Sequence, residues 1–136
     1  MNSHFASVRS RWARQKSRRQ RNFFLALACI VVPGIALFSF LPGKAKSVLH
    51  TRGRFHSWGH LIVFLCLSYI VARTALSLRG RILLFLASLV LGFGIEAGER
   101  LVFGSHMEWK DVLVDAAGVI GGTLLAIFTA PVEETA

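Results

Sequence analysis

Four apolar runs divide the chain, and each has a length close to that needed to cross a membrane. The first, FFLALACIVVPGIALFSFL, contains nineteen residues without a charge, and a transmembrane helix needs roughly 20. The second and third runs are shorter and reach this length only if their helices include flanking polar residues. We therefore predict four spanning helices, at about 23–41, 57–73, 81–103 and 111–130.

The apolar runs predict an all-α transmembrane helical bundle. Lipid offers no hydrogen-bond partners, so each span has to satisfy its own backbone as a helix. A soluble helical protein would instead alternate polar and apolar faces, whereas these runs are apolar on every side and the whole chain is 54% hydrophobic. The first run also exceeds the 7–15 apolar residues of a signal peptide and lacks a good cleavage site, which favours a retained span.

Basic residues predict how this single domain is oriented. A basic arm (1–22) precedes the transmembrane domain (23–130), and a short acidic tail (131–136) follows it. The arm carries seven Lys and Arg residues and the second loop three, against six in the first and third loops together. Positive residues concentrate on the cytoplasmic side, so we expect both termini in the cytoplasm. The arm is suited to anionic lipid headgroups, and no motif for nucleic acid accompanies it.

Acidic residues are confined to the end of the chain. The first 95 residues contain no Asp or Glu, whereas five of the seven acids lie between residues 96 and 115. Three pairs at helical spacing (His56 and His60, Glu96 and Glu99, Asp111 and Asp115) mark three helix ends, and residues three or four apart share a helix face. Because the N-terminus is expected in the cytoplasm and successive spans alternate in direction, all three helix ends are expected on the outer side of the membrane. The predicted polar cluster comprises His56, His60, Glu96, Glu99, Arg100, Asp111 and Asp115.

The chemistry of this cluster stays open at the level of sequence. An acid inside a spanning helix costs roughly 2.5–3.5 kcal/mol on insertion scales, so Glu96 and Asp115 are expected to face the bundle interior and to have a role or a partner. A structural ion-paired cluster and a binding site are equally compatible with the spacing. His56 and His60 are a weak metal candidate, no cofactor is predicted, and the absence of a recognisable nucleophile argues against an enzyme.

Two glycine pairs predict close helix packing. Gly94 and Gly98, and again Gly118 and Gly122, have the small-xxx-small spacing that lets transmembrane backbones approach. Because each pair lies beside the acids, we expect the third and fourth spans to touch, with Glu96 and Asp115 near the contact. Two cysteines, Cys29 and Cys66, fall inside apolar runs and are expected to be buried thiols.

Residues 55–125 combine a histidine that opens one span (His60), an Ile-Glu pair near the end of a later span (Glu96), and a Trp-x-Asp sequence (Trp109, Asp111) running into Gly118 and Gly122. In this combination the segment resembles the VanZ-like family of small bacterial membrane proteins. The chain departs from the family pattern where Glu99 replaces a usual Gln and Asp115 a usual Asn. Both departures add negative charge, which favours a cation, a proton or a basic partner.

The resemblance implies a multi-pass protein of the bacterial inner membrane with a role in the cell envelope or in susceptibility to glycopeptides of the teicoplanin type. The predicted orientation of the spans adds that its polar pocket faces outward. Two alternatives remain beside it. One is a non-catalytic accessory subunit that packs against a larger membrane complex, supported by the small size and the 11 Phe residues available for lateral contacts. The other is a membrane enzyme acting on a lipid-linked envelope substrate. Membrane lipids, and in the first alternative other integral membrane subunits, are the expected partners.

Overall fold

Four α-helices form the structure, a computed structural model that describes residues 2–40, 56–104, 106 and 108–130. The helices are α1 (Asn2–Ser39), α2 (His56–Ala72), α3 (Leu78–Phe103) and α4 (Trp109–Phe128), and these ranges contain no strand. Three segments, Ser17–Ser39, Leu78–Phe103 and Trp109–Phe128, are long and apolar enough to cross a membrane, while α2 is apolar but shorter. The predicted all-α helical bundle is therefore confirmed, with three of the four predicted spans long and apolar enough to cross a membrane.

Local capping explains why α3 is longer than its apolar run. The Oγ of Ser77 accepts a hydrogen bond from the backbone N–H of Gly80 at 3.1 Å and so caps the helix start. At the other end Gly104 adopts a left-handed conformation, with φ of 63°, and its N–H donates to Arg100 O. Glycine is favoured there because it has no Cβ to clash. The 26 residues between these caps include the polar flanks that spanning length requires.

The basic arm belongs to the same helix as the first span. α1 runs for 38 residues, and its apolar segment begins at Ser17. Neither Gly nor Pro occurs before Pro33, and Arg, Lys, Gln and Ala all favour helix. The helix continues through Pro33, whose missing N–H removes one backbone hydrogen bond. The side chains of residues 1–14 and 16, and the whole acidic tail at 131–136, lie outside the described residues.

Helices α2 and α4 form the centre of the bundle and run parallel. Gly118 lies against the carbonyl of Leu61, and Gly122 lies one turn further on against the carbonyl of Leu65. The residue numbers of α2 and α4 increase in the same direction along this contact, so the two helices start at the same end of the bundle. The buried core between the helices consists of Phe64, Leu67, Val71, Ile95 and Val119.

Helix α1 lies at the edge of this core. Four of its residues, Ala28, Val31, Val32 and Ile35, pack against the core, yet none of its apolar segment is fully buried. The ring of Phe24 meets Tyr69 edge-on, and the Arg73 guanidinium lies 5.5 Å from the centre of the Phe24 ring. The expectation of buried thiols is wrong, because Cys29 and Cys66 are both exposed on the outer faces of their helices. A broad exposed apolar surface of this kind is what a lipid-facing bundle presents.

Candidate polar site between three helices

Helices α3 and α4 each bury one stripe of residues, and each stripe carries polar groups at the same end of the bundle. On α3 the buried residues are Ser88, Gly92, Ile95 and Glu96. On α4 they are Asp111, Asp115, Gly118, Val119, Gly122 and Ala126. These intervals of three and four residues define one helix face. The acids therefore sit where α2 and α4 begin and where α3 approaches its end.

His60 and Asp115 form the best-defined pair in the site. His60 Nδ1 lies 2.9 Å from Asp115 Oδ1, with the Asp115 side chain 3% exposed and the His60 side chain 19% exposed. An ionised carboxylate only accepts hydrogen bonds, so Nδ1 carries the proton and donates it. When this imidazole is neutral, Nε2 holds its lone pair. The pair joins α2 to α4 and fixes the orientation of the ring.

A second polar contact joins the same two helices one turn closer to their starts. The Oγ of Ser57 donates to Asp111 Oδ1 at 3.0 Å, and Asp111 is 2% exposed. Asp111 lies in the first turn of α4, where a negative charge is stabilised by the helix dipole. Glu108 occupies the N-cap position and its side chain makes no capping hydrogen bond. The carboxylate of Asp111 is thus turned towards α2.

Glu96 brings the third helix into the site. Its side chain is 7% exposed. One ligand atom from each of His60, Glu96 and Asp111 lies within 4.8 Å of the other two. The three residues come from α2, α3 and α4, so one polar site spans all three helices.

The remaining residues of the predicted polar cluster are Glu99, Arg100 and His56, which do not belong to the group of polar side chains just described. Glu99 is half-buried one turn beyond Glu96, and Arg100 is exposed. His56 is the first residue of α2, and its side chain lies outside the described residues. The weak metal candidate formed by His56 and His60 is not tested, because the side chain of His56 lies outside the described residues. Among the described residues, His60, Glu96 and Asp111 bring potential ligand atoms together.

The glycine pairs pack differently from the prediction. The third and fourth spans do touch, but at Gly92, where an added Cβ would lie 3.2 Å from Asp115 Cβ. Gly118 and Gly122 face α2 instead, an added Cβ on Gly98 would meet the Phe40 ring at 2.7 Å, and Gly94 faces open space. Gly94 is two residues from Glu96 and therefore on another face, whereas Gly92 is four residues away and on the same face.

Two contacts were missed by the sequence prediction although a local signal exists for each. Ser57 precedes His60 by three residues, which places it on the same face of α2. Ser68 is fully buried, donates to Val119 O at 2.9 Å and lies 2.7 Å from Thr123 Oγ1. It follows His60 by eight residues, again on the same face. Polar residues at this spacing within an apolar helix indicate the packed side.

An apolar groove opens beside the site, between the first turns of α2 and α4. Its volume is about 400 Å³, and it is lined by Ser57, Trp58, Leu61, Lys110, Leu113, Val114 and Ala117. Ser57 belongs both to this groove and to the hydrogen bond with Asp111. The groove therefore adjoins the polar site directly, with a single cationic side chain on its wall.

Comparisons of the chain with protein-family models, with curated proteins and with solved structures find no match. The likeness to the VanZ-like family thus rests on the residues named above. The geometry of the three-helix site has to support any functional conclusion by itself.

Proposed function

We propose that this chain is a VanZ-like protein of the bacterial inner membrane whose polar site, formed by His60, Glu96, Asp111 and Asp115, faces the outer side and binds a component of the cell envelope. Through that site it affects the envelope or the susceptibility of the cell to teicoplanin-type glycopeptides. Both termini lie in the cytoplasm.

The observation that carries this proposal is the burial of three carboxylates and an imidazole at one end of an apolar bundle. Asp111 and Asp115 are each 2% exposed, and Glu96 is 7% exposed. Each acid in a spanning helix costs roughly 2.5–3.5 kcal/mol on insertion scales. A single polar contact between spans returns on average about 0.6 kcal/mol. Polar contacts between helices therefore return much less free energy than burying three carboxylates costs. A binding function accounts for the three buried carboxylates better than helix packing does.

The proposed orientation is supported by where the site lies along α1. The basic arm begins α1, whereas Phe40, just beyond its other end, lies against Gly98, two residues from Glu96. The site and the basic arm are therefore at opposite ends of the bundle. Since the arm favours the cytoplasmic side, the site faces outward.

The apolar groove supports an envelope component that carries a lipid. An acyl or polyprenyl chain would lie along Leu61 and Leu113, with its polar end near Ser57 and Lys110. Binding pockets for small ligands are commonly apolar with a few polar groups that fix orientation. The groove provides the apolar surface, and the polar site provides the groups that fix the orientation of the ligand.

Susceptibility measurements in cells test the proposal. We expect deletion to change the inhibitory concentration of teicoplanin, and Glu96→Gln and Asp115→Asn to reproduce the deletion while the membrane content of the protein stays unchanged. Glu108→Gln is the matched control, because Glu108 is exposed and its side chain makes no capping hydrogen bond. An unaltered susceptibility after deletion would contradict the envelope role. Loss of phenotype only in step with loss of protein would make the polar site structural.

A second function, an accessory subunit, is favoured by the position of α1. Its apolar segment has no fully buried residue, and Ile30 and Leu37 are 70% and 75% exposed. A larger membrane protein could cover this face. Purification in a mild detergent decides between the two: a partner at fixed stoichiometry supports the subunit, and a stable single chain supports the stand-alone protein.

A further inference from the structure

The polar site contains a donor set typical of a metal centre. His60 contributes an imidazole nitrogen, and Glu96 and Asp111 contribute carboxylate oxygens, with one ligand atom of each within 4.8 Å of the others. Three protein ligands, one nitrogen and two oxygens, leave an open position for water or for a ligand, as in catalytic zinc sites. The three ligands come from three different helices, so their proximity is a product of the tertiary fold.

The hydrogen bond between His60 and Asp115 orients the imidazole as a metal ligand requires. Metal-bound histidines almost always donate their other ring N–H to a carboxylate or carbonyl, which fixes the tautomer and increases ligand basicity. Here Nδ1 donates to Asp115 Oδ1 at 2.9 Å, so the lone pair of the neutral ring is on Nε2. Asp115 thereby acts as a positioning residue.

We propose that His60, Glu96 and Asp111 bind a divalent transition-metal ion, with Zn²⁺ as the best match, and that Asp115 positions His60 for this role. The inference deepens the proposed function and rests on it in taking the same polar site as the functional one. A nitrogen ligand favours zinc over magnesium or calcium, which prefer oxygen ligands throughout.

Binding requires a small contraction of the site. Ligand atoms around a tetrahedral zinc ion are roughly 3.4 Å apart when the bonds are about 2.1 Å long, so the side chains have to close in from their separation of up to 4.8 Å. The ion also offsets two of the negative charges that the three carboxylates bring into the bundle.

Metal titration of the full-length protein without an affinity tag, purified in detergent and stripped with a chelator, tests the proposal. We expect one Zn²⁺ per chain by calorimetry, and a visible absorption band when Co²⁺ replaces it, since the band reports four-coordinate geometry. Zn²⁺ also raises the melting temperature in proportion to its occupancy, whereas Mg²⁺ at the same concentration does not. These wild-type measurements need no variant to fold.

Substitutions then assign the ligands. We expect His60→Gln, Glu96→Gln and Asp111→Asn each to lower Zn²⁺ affinity more than about 100-fold, and Asp115→Asn to lower it about 10–100-fold, as is usual for residues that orient a ligand. Glu108→Gln is the matched control, since it makes the same change at an exposed side chain that is not one of the three ligands, and it should alter the affinity less than about threefold. A loss of affinity on Asp115→Asn with the Co²⁺ band retained distinguishes a positioning residue from a ligand.

Two outcomes would overturn the metal site. One is the absence of a stoichiometric Zn²⁺ effect on calorimetry and melting temperature in the wild-type protein. The other is an equal loss of affinity in Glu108→Gln and Glu96→Gln, which would indicate nonspecific electrostatic attraction by the acidic residues. If Zn²⁺ does not bind but the susceptibility phenotype still depends on Glu96, the metal inference fails and the proposed function stands. If Zn²⁺ binds and deletion leaves susceptibility unchanged, the metal site stands and the proposed envelope function fails.

Discussion

Substituting Gly118 by alanine should force apart the two central helices. An added Cβ would lie 2.7 Å from the carbonyl oxygen of Leu61 and 3.0 Å from Phe64 Cβ, whereas ordinary contacts begin near 3.4 Å. The helices have to separate by about 0.7 Å, and overpacking of this kind costs about 1–3 kcal/mol. Alanine meanwhile improves helix propensity by about 1 kcal/mol. Gly94→Ala receives that gain without the clash, because its added Cβ has nothing within 4 Å.

The difference between the two variants therefore isolates the packing cost. We expect Gly118→Ala to be less stable than Gly94→Ala by about 1–3 kcal/mol when the folded protein is titrated with a denaturing detergent and helicity is followed by circular dichroism. Gly122→Ala should lose more, because its Cβ would clash with the carbonyl of Leu65 and lie 2.9 Å from the backbone nitrogen of Tyr69. Equal stability of Gly118→Ala and Gly94→Ala would refute the close approach of α2 and α4.

Two further predictions concern hydrogen bonding and topology. Ser68→Ala should lower the free energy of unfolding by about 0.6–1.7 kcal/mol, because it removes a hydrogen bond between helices. Ser88→Ala should change the stability little, because that hydroxyl donates to Leu84 O of its own helix. Equal losses of stability in the detergent titration would contradict this difference. In a background without the native cysteines, a membrane-impermeant thiol reagent should label Leu76→Cys from the cytoplasmic side and His106→Cys from the outside, since both positions are exposed in loops; labelling of both from one side would contradict alternating spans.

Sequence alone predicted the helices well, because hydropathy and length decide whether a segment can span a membrane. It also predicted that Glu96 and Asp115 face the interior, since an ionisable group is costly in lipid. It placed His60 beside these acids as well, because successive spans alternate in direction and α2 and α4 therefore start on the same side of the membrane. These inferences need only the position of a residue along the chain.

Lateral packing was harder to predict for a physical reason. A helix that is apolar on every side gives no indication of which face meets its neighbours. Glycine spacing alone therefore points to Gly94, which faces open space, and gives no signal for Gly92. The useful marker was the alignment of Ser88, Gly92 and Glu96 at intervals of four. The partner of Gly118 and Gly122 depends on the lateral order of the helices, which the spacing of glycines does not encode.

The shortness of α2 has a consequence for the membrane around it. Its 17 residues give a length of about 26 Å, against a hydrocarbon core of about 30 Å. Such hydrophobic mismatch is relieved by local thinning of the bilayer or by snorkelling of flanking side chains. On the lipid-facing side of α2 the headgroup layer should therefore dip towards Ser57 and His60. We expect water and small ions to reach the polar site along this shallow depression in the lipid.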